Sequence, residues 1–191
     1  MGVTPDLPDL YLMRHGQTRW NAEGRLQGRL DSPLTPLGLA QARRQAWLLR
    51  DLPDGLARYA SPAGRAQQTA RIAFGGAGFA CDDRLHEIDI GSFAGRLGAA
   101  LQAEHPALFG QGGALDWYDH APGGEHFAGL RARVRAFLRD LSGPAVIVTH
   151  GITLRMLRAE AMGLPPERLA EMPVLQGAVH LVSRGRHRMF F

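Results

Sequence analysis

Apolar positions along this chain follow two rhythms. Unbroken apolar runs at Asp9–Arg14 and Ala145–Thr149 predict strands buried on both faces, the second being the clearest in the sequence. Helical spacing predicts helices from Thr35-Pro36 to about Leu52, near Pro62–Phe74, near Leu97–Glu104, over Gly124–Leu141 and over Gly151–Met162. Thr35 followed by proline is a cap with its N1 residue. In the Gly124–Leu141 helix, Leu130, Val134, Phe137, Leu138 and Leu141 form one stripe. Ala57–Ala60 and Phe79–Leu85 read as short strands, and GAVHLVSRGRHRMFF as a closing hairpin that turns at Arg184-Gly185. Two stretches lack a period: polar, glycine-punctuated Asn21–Ser32, and His105–Gly124, long for a connection inside a compact domain.

Strands alternating with helices predict an α/β fold, a three-layer α/β/α sandwich whose central sheet is mostly parallel with an antiparallel edge strand. No repeat or linker interrupts the pattern, so a single domain over 1–191 is expected.

Composition narrows the chemistry. All 22 basic residues are arginine. Without lysine, a Walker A loop, a lysine Schiff base and a protein-kinase lysine are impossible. The net charge of +4 is small and its arginines are dispersed, so nucleic acid is not an expected partner. One cysteine, Cys81, suits a reducing compartment. The first residues show no basic, then apolar leader pattern, and no run approaches a membrane span. A cytoplasmic protein with no membrane partner is expected.

In open α/β sheets, ligands sit beyond the carboxyl ends of strands. His15 and His150 both stand there, each followed by glycine, and both could face one crevice. A metal has little support: HEIDI at His86–Ile90 begins like H-E-x-x-H but ends in isoleucine, and no other ligand cluster exists. Serine hydrolysis lacks its G-x-S-x-G, and Gly75–Gly78 follows a helix, the reverse of a dinucleotide loop. An anion site fits better, because Arg14 offers a planar fork to oxyanions and Arg65, early in a helix after a short strand, is a second donor.

Arg14-His15-Gly16 with Trp20-Asn21, then GRLQGRLDSPLTPLGLAQA, SPAGRAQQTA, LHEIDIGSFAGR, GGEHF and VTHG, in that order, resemble the histidine phosphatase superfamily, which includes phosphoglycerate mutases. The resemblance spans nearly the whole chain. It implies that His15 is a nucleophile forming a phosphohistidine and that Arg14, Arg65 and His150 hold the phosphoryl oxygens. Asn21, Gln27 and the Gly151 backbone would assist, and Glu87, partly buried, would be the proton donor. His15 must then be neutral, which neighbouring arginines favour, while a protonated His150 would add charge to the clamp. No metal or cofactor is implied, and the partner would be a small phosphorylated metabolite.

The IDIGSFAG continuation after Glu87 and the compact segment before Gly124-Glu125 are similar to the phosphatase members, such as α-ribazole phosphatases, rather than the mutases. A histidine acid-type phosphatase is therefore expected. Mutase-type transfer and a non-catalytic phospholigand-binding module are the alternatives. Ala94, where relatives commonly have an acid, and His126, where serine often follows Gly-Glu, depart from the pattern. Trp117 and His120 are candidate substrate contacts from the long segment, whereas His86, His105, His126 and His187 read as structural or surface residues.

Overall fold

The computed structural model describes residues 7–110 and 113–191. Residues 1–6 of the stretch read for a leader, and positions 111–112 of the aperiodic segment, lie outside them. In chain order the elements are β1 (Leu10–Arg14), α1 (Arg19–Ala22), α2 (Pro36–Leu49), β2 (Ala57–Ala60), α3 (Gly64–Ala73), β3 (Ala80–Cys81), α4 (Gly98–Glu104), α5 (Pro106–Gly110), α6 (His126–Arg139), β4 (Ala145–Thr149), α7 (Gly151–Met162), β5 (Val179–Ser183) and β6 (Arg186–Phe190).

The strands form one sheet in the order β3-β2-β4-β1-β5-β6. The first four run parallel, and β5 and β6 add an antiparallel hairpin beside β1. Arg184 and Gly185 close that hairpin with φ of 49° and 70°, the left-handed pair that suits strand twist.

Alternation along the central strands fills both layers. Leu10, Leu12, Ala145 and Ile147 meet the α6 stripe of Leu130, Val134, Phe137 and Leu138 and the apolar side of α7. Met13, Val146 and Val148 face the other way, onto Ala66, Ala70 and Ala73 of α3, with Leu48 and Leu49 of α2 outside them. The α/β sandwich is thus the architecture. No helix is long and apolar enough to cross a membrane among the described residues.

Four local expectations change. The strand expected over Phe79–Leu85 is only Ala80–Cys81, because Asp82 accepts the Arg84 N–H and caps a 3₁₀ turn over Asp83–Leu85. The start of the first polar stretch is helical: Thr18 and Asn21 bond each other's backbone N–H and close a capping box over α1. Helix α6 begins at His126 rather than Gly124, since Gly124 is taken by a turn to Ala121 O. The aperiodic segment contains α5 and a 3₁₀ turn over Asp116–His120.

Candidate active site

Strands β1 and β4 are parallel neighbours with Arg14 opposite Thr149, so His15 and His150 leave the sheet side by side. Their rings lie 5.1 Å apart, edge to face. The His15 N–H still donates to Thr149 O at 2.9 Å, extending the ladder one residue into the turn.

The turn's backbone groups are held from four directions. Buried Gln45 donates to Arg14 O at 2.9 Å, and Gln176 to His15 O at 3.2 Å. The Gly16 N–H donates to Thr69 Oγ1 at 3.1 Å, and the Gln17 N–H to Gln41 Oε1 at 2.7 Å. Gly16 is required for closeness, because a Cβ there would stand 2.2 Å from Gly38 O of α2.

These contacts fix the His15 imidazole. Its Nδ1 lies 2.8 Å from Gly16 O and must carry the proton, since a carbonyl only accepts. The lone pair therefore sits on Nε2, where Arg65 Nε donates at 3.2 Å. Burial holds the His15 pKa well below the imidazole range, and the Arg65 and Arg14 charges push the same way. The expected repulsion by neighbouring arginines is present, and burial is the larger cause. His150 is also completely buried, and burial, then Arg65, holds its pKa well below the imidazole range, so the unliganded site disfavours a protonated ring. Its Nε2 meets Ser61 Oγ at 2.7 Å and its Nδ1 has no partner among the described residues.

Arg65 is almost wholly buried at the start of α3. It donates to Leu30 O at 2.6 Å, Gly28 O at 2.9 Å and Asp31 Oδ1 at 2.9 Å. Glycine precedes it: a Cβ at Gly64 would fall 2.3 Å from Asp31 Oδ2, so a larger residue would push aside the carboxylate that Arg65 holds. Arg14 is held less tightly: Nη1 reaches Val174 O at 3.4 Å, and buried Nε has no partner among the described residues.

Glu87 spans the start of α7. One carboxyl oxygen accepts the Thr153 N–H at 3.1 Å, and the other the Ile152 N–H at 3.1 Å, so donors at a helix N-terminus meet an acid from far upstream. Gly151 separates the acid from Arg14: a Cβ there would lie 3.6 Å from Glu87 Oε2 and 3.7 Å from Arg14 Cζ.

A cavity of about 130 Å³ joins these groups. Arg14, His15, Asn21, Gln27, Arg65 and Glu87 line it, together with Arg25 and Tyr118. His150 stands behind His15, and Gly151 behind Arg14 and Glu87. The structure therefore gathers all eight residues that the resemblance assigned to the phosphoryl site, six of them on the cavity wall. Three guanidinium groups face one carboxylate around a neutral imidazole, an arrangement suited to an oxyanion.

The profile of the histidine phosphatase superfamily (branch 1) matches residues 10–190. The chain belongs to this superfamily. A protein named "Probable phosphoglycerate mutase GpmB" from Enterobacter sp. (strain 638) is 40% identical over 166 residues, covering 82% of this chain and 75% of its own. Among solved structures, the alpha-ribazole phosphatase from Shigella flexneri superposes with a TM-score of 0.80 at 29% identity, covering 95% of this chain and 94% of that one. Bacillus stearothermophilus YhfR does so with 0.79 at 32% identity, over the same shares. The superfamily relatives thus carry both mutase and phosphatase names.

Within this family site, sequence reasoning missed Tyr118, Arg25 and Gln176. Trp117, a candidate substrate contact, is buried against Phe109 and Phe93, and this packing presents Tyr118, stacked 3.7 Å away, to the cavity. His120 is exposed and does not line this cavity. Burial, then the nearby Glu87 charge, raises the Tyr118 pKa and keeps its hydroxyl protonated. His180, unremarked in the sequence, is fully buried against Arg158.

Proposed function

We propose that this protein is a metal-independent phosphomonoesterase of the cytoplasm, built as one domain, that acts through a phosphohistidine on His15. The observation that carries this reading is the His15 ring: neutral, its tautomer set by Gly16 O, its Nε2 lone pair beside Arg65 in a basic cavity. Nε2 attacks phosphorus and the bond to the ester oxygen breaks. Glu87, which must enter this step protonated, gives that oxygen its proton and becomes a carboxylate, so an alcohol leaves. Water then attacks the phosphohistidine, Glu87 takes its proton, the N–P bond breaks and inorganic phosphate is released.

Arg14 and Arg65 balance the charge on the equatorial oxygens, with Asn21 and Gln27 as further donors. His150 contributes its Nδ1, gaining a proton as the bound dianion offsets the cost of burial and the repulsion of Arg65. The substrate is a small phosphorylated metabolite whose phosphoryl end enters the cavity while its remainder passes Tyr118 and Arg25.

A second reading is mutase transfer, favoured by the name of the GpmB relative. The two differ in whether water or a substrate hydroxyl attacks the phosphohistidine. Phosphate release from p-nitrophenyl phosphate in EDTA, with His15→Ala and Glu87→Gln beside the wild type, is the test. Turnover lost in His15→Ala supports the proposal, and activity surviving that change sinks the nucleophile. Conversion of 3-phosphoglycerate to its isomer, without phosphate release, would select the mutase.

A further inference from the structure

Between α7 and β5 the chain passes beside the site as a strap, Met172–Gln176, whose Val174 O meets Arg14 Nη1 and whose Gln176 reaches His15 O. Helix α7 pins its start: Arg155 Nε donates to Met172 O at 2.9 Å, and Arg158 Nη2 to Pro173 O at 2.6 Å. Arg158 is fully buried with no ion pair among the described residues; its Nη1 turns to His180 Nδ1 at 3.1 Å. Removing such a cation from water is expensive, so its contacts are firmly held in place. Gly177, at φ 80°, then turns the chain into β5.

The strap delivers the Gln176 amide to the site. Nε2 has two donors and uses both, toward His15 O at 3.2 Å and Asn21 Oδ1 at 3.1 Å. Because a backbone carbonyl only accepts, the first contact fixes which end of Gln176 points inward. Asn21 Oδ1 also accepts the Thr18 N–H at 3.1 Å. A half-turn of the Asn21 amide would set its NH₂ against two N–H donors, so the oxygen stays with Gln176 and Thr18. Asn21 lines the cavity, and its NH₂ is the end left for a ligand.

We propose that Gln176 is a positioning residue that locks the Asn21 amide with its NH₂ toward the phosphoryl oxygens, an inference that rests on the phosphoester reading above. Without Gln176 the amide rotates more freely and offers its oxygen to an anion part of the time. Glutamate at this position reverses the preference, because its carboxylate repels both Asn21 Oδ1 and His15 O.

The test is binding of inorganic phosphate, measured by calorimetry, with melting temperature recorded for each variant. Gln176→Met is expected to weaken phosphate about tenfold, the scale of one hydrogen bond to a charged group, and Gln176→Glu to weaken it further. In an Asn21→Ala background, Gln176→Met should change binding by less than about twofold, because the group it acts through is gone. Equal losses in both backgrounds would overturn the inference, as would unchanged binding by a folded Gln176→Met. Asn21→Asp leaves the strap intact and presents only oxygens, so it should lose at least as much as Gln176→Met; wild-type binding by it would also overturn the inference. A wild type that binds no phosphate removes the phosphoester reading and this inference with it, whereas binding and turnover by the wild type that the variants share removes this inference alone.

Discussion

Arg65 places its Nε 3.2 Å from Nε2 of His15, so a permanent cation shares the lone pair of the proposed nucleophile. This contact lowers the proton affinity of the ring without removing its electrons. An arriving phosphoryl group gives the guanidinium a stronger acceptor and frees Nε2 to attack. Arg65→Lys removes the planar fork and its contact with Nε2. We expect kcat/KM to fall about 10²–10³-fold, the typical cost of one preorganised donor. The His15 pKa should rise slightly with loss of the contact and stay below 6.5 in nuclear magnetic resonance titrations, because burial, its larger cause, is unchanged. An unshifted titration with unchanged kinetics would contradict this account.

Acid should destabilise the fold early. His15 and His150 have folded-state pKa values well below 6.5, and burial brings His180 down to about 3. The unfolded chain binds protons that these buried rings refuse. Their stabilising effect is full above about pH 6.5 and is lost as pH falls through the gap, by up to about 1.4 kcal/mol per pH unit for each ring. Urea melts between pH 7.5 and 5 should show this slope. A flat profile down to the carboxylate range would argue that the rings are hydrated.

Gly16→Ala tests the closeness of β1's turn to α2. The new methyl would meet the Gly38 carbonyl, which is backbone and cannot swing aside. We expect a loss of about 1–3 kcal/mol, the usual cost of overpacking, with activity falling because His15 is displaced. Thermal melting and turnover measured together check both effects.

Tyr118 lines the cavity with a protonated hydroxyl in the field of Glu87. Tyr118→Phe keeps the wall and removes the hydroxyl, so KM for a natural phosphoester should rise by about tenfold or less, the range of one hydrogen bond, with kcat nearly unchanged. Tyr118→Ala opens the wall as well and should raise KM further. Equal kinetics in all three proteins would remove Tyr118 from the site.

The sequence made legible those parts of the site that strands place. β1 and β4 are continuous apolar runs, so their ends, and with them Arg14, His15 and His150, could be located. Arg65 followed from a strand-to-helix junction, while Asn21, Gln27, Glu87 and Gly151 came only from the ordered motifs. Glu87 shows why: its partners are N–H groups of α7, unrelated to its own neighbours in the chain. Tyr118 was hidden in an aperiodic stretch whose conformation depends on Trp117 packing into the core. The glutamines behind the turn look like surface residues, and only tertiary structure makes Gln45 fully buried. β3 was overextended because its exposed edge position leaves no burial pattern to read.

The strand order also has a consequence for synthesis. β1 pairs with β4 and β5, Leu10 standing opposite Ala145 and Val182, and β2 also waits for β4. A ribosome that has made three quarters of this chain has already released the proposed nucleophile but neither strand that frames it. At about 5–20 residues per second, the first strands remain without their partners for several seconds. Any N-terminal fragment ending before Ala145 should therefore lack the proposed activity and need protection from aggregation, and the site is complete only as the last quarter emerges.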